Sequence, residues 1–152
     1  MKPVVIIGTD HAGYRLKERL KRWLAASGYE VLDFGTTSGS DADYPDFVIP
    51  VAEAVAAAKG AARGIVLGGS GNGEAIAANK VRGVRAALCF DAQTAKLARE
   101  HNDANILALG ARTVTRSFPL VQRVVRLFLT TPFTKAPRHV RRLKKIAAYE
   151  AS

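Results

Sequence analysis

The chain alternates short apolar runs, rich in β-branched residues, with longer stretches of helical periodicity. The runs that predict β-strands lie at Val4–Gly8, Glu30–Phe34, Gly64–Leu67, Arg85–Cys89 and Ile106–Leu109. Between them, apolar residues recur every three or four positions, which is typical of helices with one buried face. Strands that alternate with helices in this way indicate a parallel sheet with helices on both faces.

The helices can be placed from their periodicity and their ends. The first is expected to end at Gly28, a common stop signal, and to bury one face formed by Leu16, Leu20, Trp23 and Leu24. The second begins near Tyr44, and its Pro50 is expected in the first turn or at a kink, because proline lacks an amide hydrogen. Two more helical stretches read "AQTAKLAREHN" and "SFPLVQRVVRLFLT".

A last helix is expected at about residues 136–150, after Pro137, with no strand behind it. Its apolar stripe would consist of Val140, Leu143 and Ala147. A second face would carry the basic residues Arg138, Arg142 and Lys145, which are spaced four and three residues apart. Such a helix can pack on its own domain or reach a second subunit.

Length and composition indicate one domain. The 152 residues, 48% apolar and 24% charged, contain no repeat and no long linker. We therefore expect residues 1–152 to form a single-domain α/β fold, a Rossmann-like three-layer sandwich around a five-stranded parallel sheet. No apolar run approaches the ~18 residues of a membrane span. Cys89 is the only cysteine, so no internal disulfide can form, which fits the reducing cytoplasm.

The net charge of +10 points to an anionic partner: nucleic acid, a membrane surface or a phosphorylated small molecule. The segment Arg138–Lys145, "RHVRRLKK", carries five of these charges and no acid. It can also be a solvated helix face. Aromatic residues interleaved with the charges, or a helix that reads a groove, would indicate nucleic acid, and neither is present.

A glycine-rich loop, "GGSGNGE", follows the third strand and ends at Glu74. It is not a P-loop, which has lysine at the position of Glu74, and the dinucleotide fingerprint belongs after the first strand. The glycines let backbone amides approach a ligand closely, and the next helix begins there, so the loop could stabilise an oxyanion. Ser70 lacks the surroundings of a nucleophile elbow, and a hydroxyl that moves a proton is favoured.

Glu74 has two interpretations. An acid at a helix N-terminus commonly complements the helix dipole. Alternatively, it is a general base in a partly dry pocket, which requires that burial raise its pKa more than the dipole lowers it. The histidines His11 and His101 fall in predicted loops at strand ends, and His139 falls in the basic segment. Their wide spacing and the single cysteine give no metal-site pattern.

Several long motifs resemble one known family. They are "GTDHAGYRLK", "DYPDF", "GGSGNGEAIAANK", "REHNDANILALGAR" and "PRHVRR", in this order, and they span the chain from Val4 to about Tyr149. The sequence is similar to type B ribose-5-phosphate isomerases, a family that also includes galactose-6-phosphate isomerase subunits. The resemblance implies an aldose–ketose isomerase of carbohydrate metabolism and the pentose phosphate pathway. Its reaction would pass through a cis-enediolate without metal or organic cofactor.

The resemblance also implies roles for single residues. Many members have a catalytic cysteine at the position of Gly68, whereas a second branch uses glutamate at the position of Glu74. The catalytic set implied here is Glu74 as base, Ser70 as proton relay, His101 for opening the furanose ring, and Asp10 at the sugar hydroxyls. The substrate-binding set is His11, Tyr44, Gly71, Asn72, Gly73, Asn102, Arg112, Arg138, His139 and Arg142.

Members of the family form homodimers with shared sites, and tetramers also occur. The resemblance implies that the partner subunit supplies His101, Asn102 and Arg112. Two alternatives remain at this point. One is the same chemistry on a four- or six-carbon phosphosugar, such as allose or galactose 6-phosphate. The other is a non-catalytic phosphate- or nucleotide-sensing α/β module, which would keep the arginines but would not need Glu74, Ser70 and His101 together.

Overall fold

The computed structural model describes residues 1–113 and 117–152. Its strands are β1 Val4–Thr9, β2 Val31–Asp33, β3 Ala62–Gly68, β4 Ala86–Leu88 and β5 Ile106–Gly110. Its α-helices are α1 Tyr14–Ala26, α2 Pro45–Ala57, α3 Asn72–Ala78, α4 Ala92–Asn102, α5 Phe118–Thr130 and α6 Pro137–Ala151. The strands form one parallel sheet in the order β2-β1-β3-β5-β4. The expected five-stranded parallel sheet is confirmed.

The sheet is buried on both faces by two separate cores. Helices α1, α4 and α5 cover one face, where Leu20 and Phe128 are fully buried, and α2 and α3 cover the other, where Val51 is fully buried. Successive strand residues alternate between these cores: Ile65 faces the first and Val66 the second. Because the residues that face either core must be apolar, the strands appear in the sequence as continuous apolar runs.

Two details of the helices differ from expectation. Trp23 is only half-buried, whereas Lys17, which was not among the residues expected on the buried face, is fully buried. Pro50 lies at the sixth residue of α2 and is exposed, while Pro45 fills the favourable first position. Helix α2 thus continues past Pro50, which is not in the first turn.

Helix α6 lies on the outside of the molecule. Of the predicted apolar stripe, Val140 and Leu143 are half-buried on their own chain and Ala147 is exposed. Ile146 and Tyr149 are 50% and 83% exposed. Within the described residues, no helix is both long and apolar enough to cross a membrane.

Candidate active site

The carboxyl ends of three neighbouring strands, β1, β3 and β5, lie on the same side of the sheet. The loops that follow these strands carry most of the polar motifs. From β1 the chain passes to β2 on one side, whereas from β3 it passes to β4 on the other. The crevice between β1 and β3 is therefore a topological switch point, where open parallel sheets bind their ligands. The loops after these two strands contain Asp10, His11 and the glycine-rich loop Gly68–Gly73.

The end of β5 holds the glycine-rich loop in place. The amide of Ala111 donates to the carbonyl of Gly68 at 2.7 Å, and that of Arg112 donates to Gly69 at 2.9 Å. Gly71, the N-cap of α3, has a φ of +83°, a left-handed conformation that favours glycine. Ser70 is exposed, and its Oγ accepts from the amide of Asn72 at 3.2 Å. The loop therefore presents a hydroxyl and a turn of backbone amides at the strand ends.

The carboxyl group of Glu74 is buried against this loop. Glu74 lies in the first turn of α3 and is 4% exposed. Its carboxyl group occupies the space above Gly68, where any Cβ atom would overlap it. Burial raises the pKa of Glu74, although its own backbone amide opposes the shift, and the negative charge of Asp10 raises it further. Desolvation outweighs the effects that stabilise the carboxylate, as the general-base interpretation requires.

Asp10 and His11 line the β1 side of the crevice. Asp10 is 8% exposed and caps the short 3₁₀ turn that follows it, its Oδ1 accepting from the amide of Ala12 at 2.9 Å. Nδ1 of His11 accepts from the amide of Ala42 at 3.3 Å, and its Nε2 lies 3.5 Å from Oδ1 of Asp41. Both side chains are therefore held by the backbone around them.

Tyr44 and Arg112 lie over the glycine-rich loop. A Cβ atom on Gly73 would lie 2.7 Å from Cζ of Tyr44, and one on Gly69 would lie 3.1 Å from Nη1 of Arg112. The resemblance implied that a partner subunit supplies Arg112. In the structure, the Arg112 side chain lies over the glycine-rich loop of its own chain, at the carboxyl ends of the strands, as Glu74 does.

The other predicted site residues lie on the opposite side, at the amino ends of the strands. Helix α4 runs from the end of β4 back to the start of β5, so its last residues, His101 and Asn102, lie at the amino ends of the strands. Helix α6 begins beside them and carries Arg138, His139 and Arg142. One chain thus brings Glu74, Ser70, Asp10, His11, Tyr44 and Arg112 together, but not with this second group.

The two histidines of the second group are stacked. The ring centroids of His101 and His139 are 4.2 Å apart, with an angle of 18° between the planes. His139 is 5% exposed, and within the described part of the chain its Nε2 has no hydrogen-bond partner. Burial lowers the pKa of His139, and His101 and the guanidinium groups of Arg138 and Arg142 lower it further. A neutral ring beside two arginines leaves those cations free for an external anion.

Two buried residues behind the site were missed in the sequence. Thr9 is fully buried and its Oγ1 donates to the carbonyl of Leu67 at 2.7 Å, which joins β1 to β3 beside Gly68. A hydroxyl directly before Asp10 was an available signal. Lys17 gave none, because a lysine in a helix with many charges is normally on the surface.

Neither a metal cluster nor a reactive thiol accompanies these residues. In residues 1–113 and 117–152, no group of three or more His, Cys, Asp or Glu side chains could hold a metal ion. Cys89 is 1% exposed, and burial raises the pKa of its thiol to about 11.

A buried carboxyl group with a raised pKa, beside a glycine-rich loop at the switch point of a parallel sheet, defines an α/β enzyme that binds a small molecule. Comparison with known proteins agrees. A family model described as ribose/galactose isomerase matches residues 5–146. Ribose-5-phosphate isomerase B of Mycobacterium tuberculosis is 50% identical over 147 residues, which cover 96% of this chain and 89% of the relative.

Solved structures show the same likeness. Ribose-5-phosphate isomerase B of Clostridium thermocellum has a TM-score of 0.91 and 48% identity, with 97% of both chains covered. The Mycoplasma genitalium enzyme, solved with bound ribulose 5-phosphate, has a TM-score of 0.93 and 38% identity, and the match covers 100% of this chain and 99% of that one. The chain belongs to the ribose/galactose isomerase family and is a sugar-phosphate isomerase.

Proposed function

We propose that the protein interconverts ribose 5-phosphate and ribulose 5-phosphate through a cis-enediolate, with Glu74 as the general base. The observation that carries this proposal is the burial of the Glu74 carboxyl group over Gly68, which raises its pKa toward the working range of a base. The pentose is supported by the names of the relatives, one of which holds ribulose 5-phosphate.

The proposed reaction moves one proton between adjacent carbons. Glu74 removes the proton from C2 of the open-chain aldose. The electron pair of that C–H bond forms the C1–C2 double bond of the enediolate, while the π pair of the C1 carbonyl moves onto its oxygen. The same carboxyl group then returns the proton to C1, which gives the ketose. Ser70 moves the hydroxyl proton between the two oxygens, and the amides of residues 71–73 stabilise the negative oxygen. Asp10 binds the sugar hydroxyls.

A second copy of the chain completes this site. The residues proposed to open the ring and bind the phosphate lie at the amino ends of the strands, whereas Glu74 lies at their carboxyl ends. These residues are His101, Asn102, Arg138, His139 and Arg142. We therefore propose a homodimer with two shared sites, in which one protomer contributes Glu74 and its partner contributes this group. The exposed apolar side chains of Ile146 and Tyr149 on α6 provide surface for such contact.

Mixing two inactive variants tests the shared site. Glu74→Gln and His101→Asn should each lower turnover by about a hundredfold or more. When the two are co-expressed, half of the dimers combine one copy of each, and each of these has one intact and one doubly altered site. The mixture should recover about a quarter of wild-type activity. The absence of recovery, with mixed dimers demonstrated by mass spectrometry, would contradict sharing between protomers.

Arg142→Ala should raise KM for ribose 5-phosphate by about tenfold or more and change kcat little. Charge-assisted hydrogen bonds to phosphate are lost equally in the ground and transition states, because the phosphate does not react. Lys144→Ala, which removes an exposed charge from the same helix, is the matched control and should leave KM unchanged. Steady-state kinetics distinguish the two, and an unchanged KM in Arg142→Ala would exclude its role in phosphate binding.

The wild-type protein provides the direct test of the function. Its kcat/KM should be highest with ribose 5-phosphate when compared with allose 6-phosphate and galactose 6-phosphate in the same assay. The description of the matching family names galactose as well as ribose, so a six-carbon phosphosugar is the second candidate. A higher kcat/KM with either hexose phosphate would replace the pentose assignment. No turnover of any of the three would refute the isomerase assignment.

A further inference from the structure

We infer that Lys17 is a positioning residue, which holds Asp10 and His11 in place by tying to α1 the segment Gly35–Thr36, which itself contacts the end of β1. Lys17 is the fourth residue of α1. The inference concerns how the site is built, and its catalytic consequence rests on the proposed function.

The first step is the environment of Lys17. Its side chain is fully buried, and its Nζ lies 2.6 Å from Oδ2 of Asp33 and 3.0 Å from Oε1 of Glu18. Nζ also donates to the carbonyl of Gly35 at 3.1 Å. A buried ammonium group is costly unless all three of its hydrogens are bonded, and here three acceptors surround it. The arrangement fixes the Gly35 carbonyl to α1.

Asp33 strengthens this arrangement. Although burial alone would raise it, hydrogen bonds from Lys17 and Lys21 keep the pKa of Asp33 below its ordinary value, so the carboxylate stays charged. Its Oδ1 accepts from the amide of Gly35 at 3.0 Å. Gly35 is thus held at both its amide and its carbonyl, by the two members of one ion pair.

The second step leads from Gly35 to the site. A Cβ atom on Gly35 would overlap the amide nitrogen of Thr9, so the two backbones are in direct contact. The amide of Thr36 donates to the carbonyl of Thr9 at 3.0 Å. Asp10 and His11 are the next two residues of the chain. Any loosening of Gly35 from Lys17 therefore frees the backbone on which both side chains depend.

The third step connects this backbone to Glu74. The charged group that acts on its carboxyl group is Asp10 from the β1 loop. Arg112 and Tyr44 face the same loop, over Gly69 and Gly73 respectively. Movement of Asp10 away from the crevice would remove a nearby negative charge and admit water. Both changes favour the ionised form of Glu74, so both lower its pKa.

Lys21 offers a matched control. Its Nζ pairs with the same two acids, at 2.6 Å from Oδ2 of Asp33 and 3.1 Å from Oε1 of Glu18. Its side chain is partly exposed, and it has no bond to Gly35. Lys21→Met therefore removes a cation from the same acids without removing a bond to Gly35, whereas Lys17→Met removes the bond to the Gly35 carbonyl at nearly constant side-chain volume.

The experiment compares both variants by the pH dependence of kcat/KM for ribose 5-phosphate and by ¹³C NMR titration of the Glu74 carboxyl carbon. In Lys17→Met we expect kcat to fall by about tenfold, since a misplacement near 1 Å can cost up to a hundredfold. We also expect the Glu74 pKa, and with it the acid limb of the profile, to fall by about half a unit. Lys21→Met should retain the wild-type kcat, the wild-type pKa of Glu74 and the wild-type acid limb of the pH profile.

A folded Lys17→Met protein with the wild-type profile and titration would overturn the inference. Asp33→Asn perturbs the same tie from its more exposed end and should shift the titration in the same direction; an unchanged titration there would also overturn it, even if Lys17→Met did not fold. The NMR titration needs no substrate. A failure of the proposed function would therefore appear as an inactive wild type, separately from the behaviour of Lys17.

Discussion

Glu74→Gln is expected to lower kcat for ribose 5-phosphate by at least about two orders of magnitude, the usual contribution of a general acid–base group. Glutamine keeps the shape of the buried side chain but cannot accept the proton from carbon. KM should change much less, because the phosphate is bound elsewhere in the site. Glu53→Gln, which alters an exposed acid on α2, should retain wild-type turnover. A turnover within about tenfold of wild type would remove Glu74 as the base.

Thermal unfolding separates this loss from misfolding. In the folded chain the pKa of Glu74 lies above its ordinary value of 4.5, so the folded state holds the proton more tightly than the unfolded state. The stability that this tighter proton binding contributes is fully present at pH values below the pKa of Glu74 in the unfolded state. It is lost as the pH rises through the pKa of Glu74 in the folded state. Glutamine does not ionise, so Glu74→Gln should be more stable than wild type at pH 7. Each kcal/mol gained would raise Tm by about 2–4 °C.

Gly68→Ala should lower kcat by about a hundredfold through displacement of Glu74. The new Cβ atom would overlap the carboxyl group, which must leave its pocket, and a shift near 1 Å at a reacting group has this magnitude. The backbone of Gly68 is not in the left-handed region, so alanine is otherwise compatible with it. If displacement is the cause, the double variant with Glu74→Gln should be no slower than Glu74→Gln alone.

Gly39→Ala is the control for this substitution. No atom lies within 4 Å of a Cβ atom built at Gly39, which is exposed in the loop after β2. It should keep the wild-type kcat. A wild-type kcat in Gly68→Ala would show that the carboxyl group does not need the position described here. A crystal structure of the Gly68→Ala variant would then show where Glu74 acts from.

The sheet could be predicted from the sequence because its three central strands, β1, β3 and β5, are buried on both faces. Val4–Gly8 was expected and β1 ends one residue later, and the same holds for Ile106–Leu109 and β5. At the edges of the sheet the expected strands were too long: Arg85–Cys89 is observed as Ala86–Leu88. An edge strand pairs on one side only, so its ends have fewer partners to hold them extended.

The candidate site was only partly predictable. The resemblance supplied its residues and implied that Glu74 is the base, but the burial of its carboxyl group over Gly68 could not be seen in the sequence. Sequence order also gave no indication that His101 lies at the amino ends of the strands and Glu74 at their carboxyl ends, because that separation depends on the direction of α4. Lys17 was missed since a buried ammonium group can only be recognised from its acceptors.

The replacement of a thiol by a carboxyl group at this site has a consequence for oxidative stress. Where a family member has cysteine at the position of Gly68, a reactive sulfur lies in the crevice and is open to peroxide. The single sulfhydryl of this chain is Cys89, which is buried, with a pKa of about 11 that leaves almost no thiolate at neutral pH. On the proposed mechanism, in which Glu74 is the base, we therefore expect isomerisation to continue under oxidising conditions that attack a catalytic thiol.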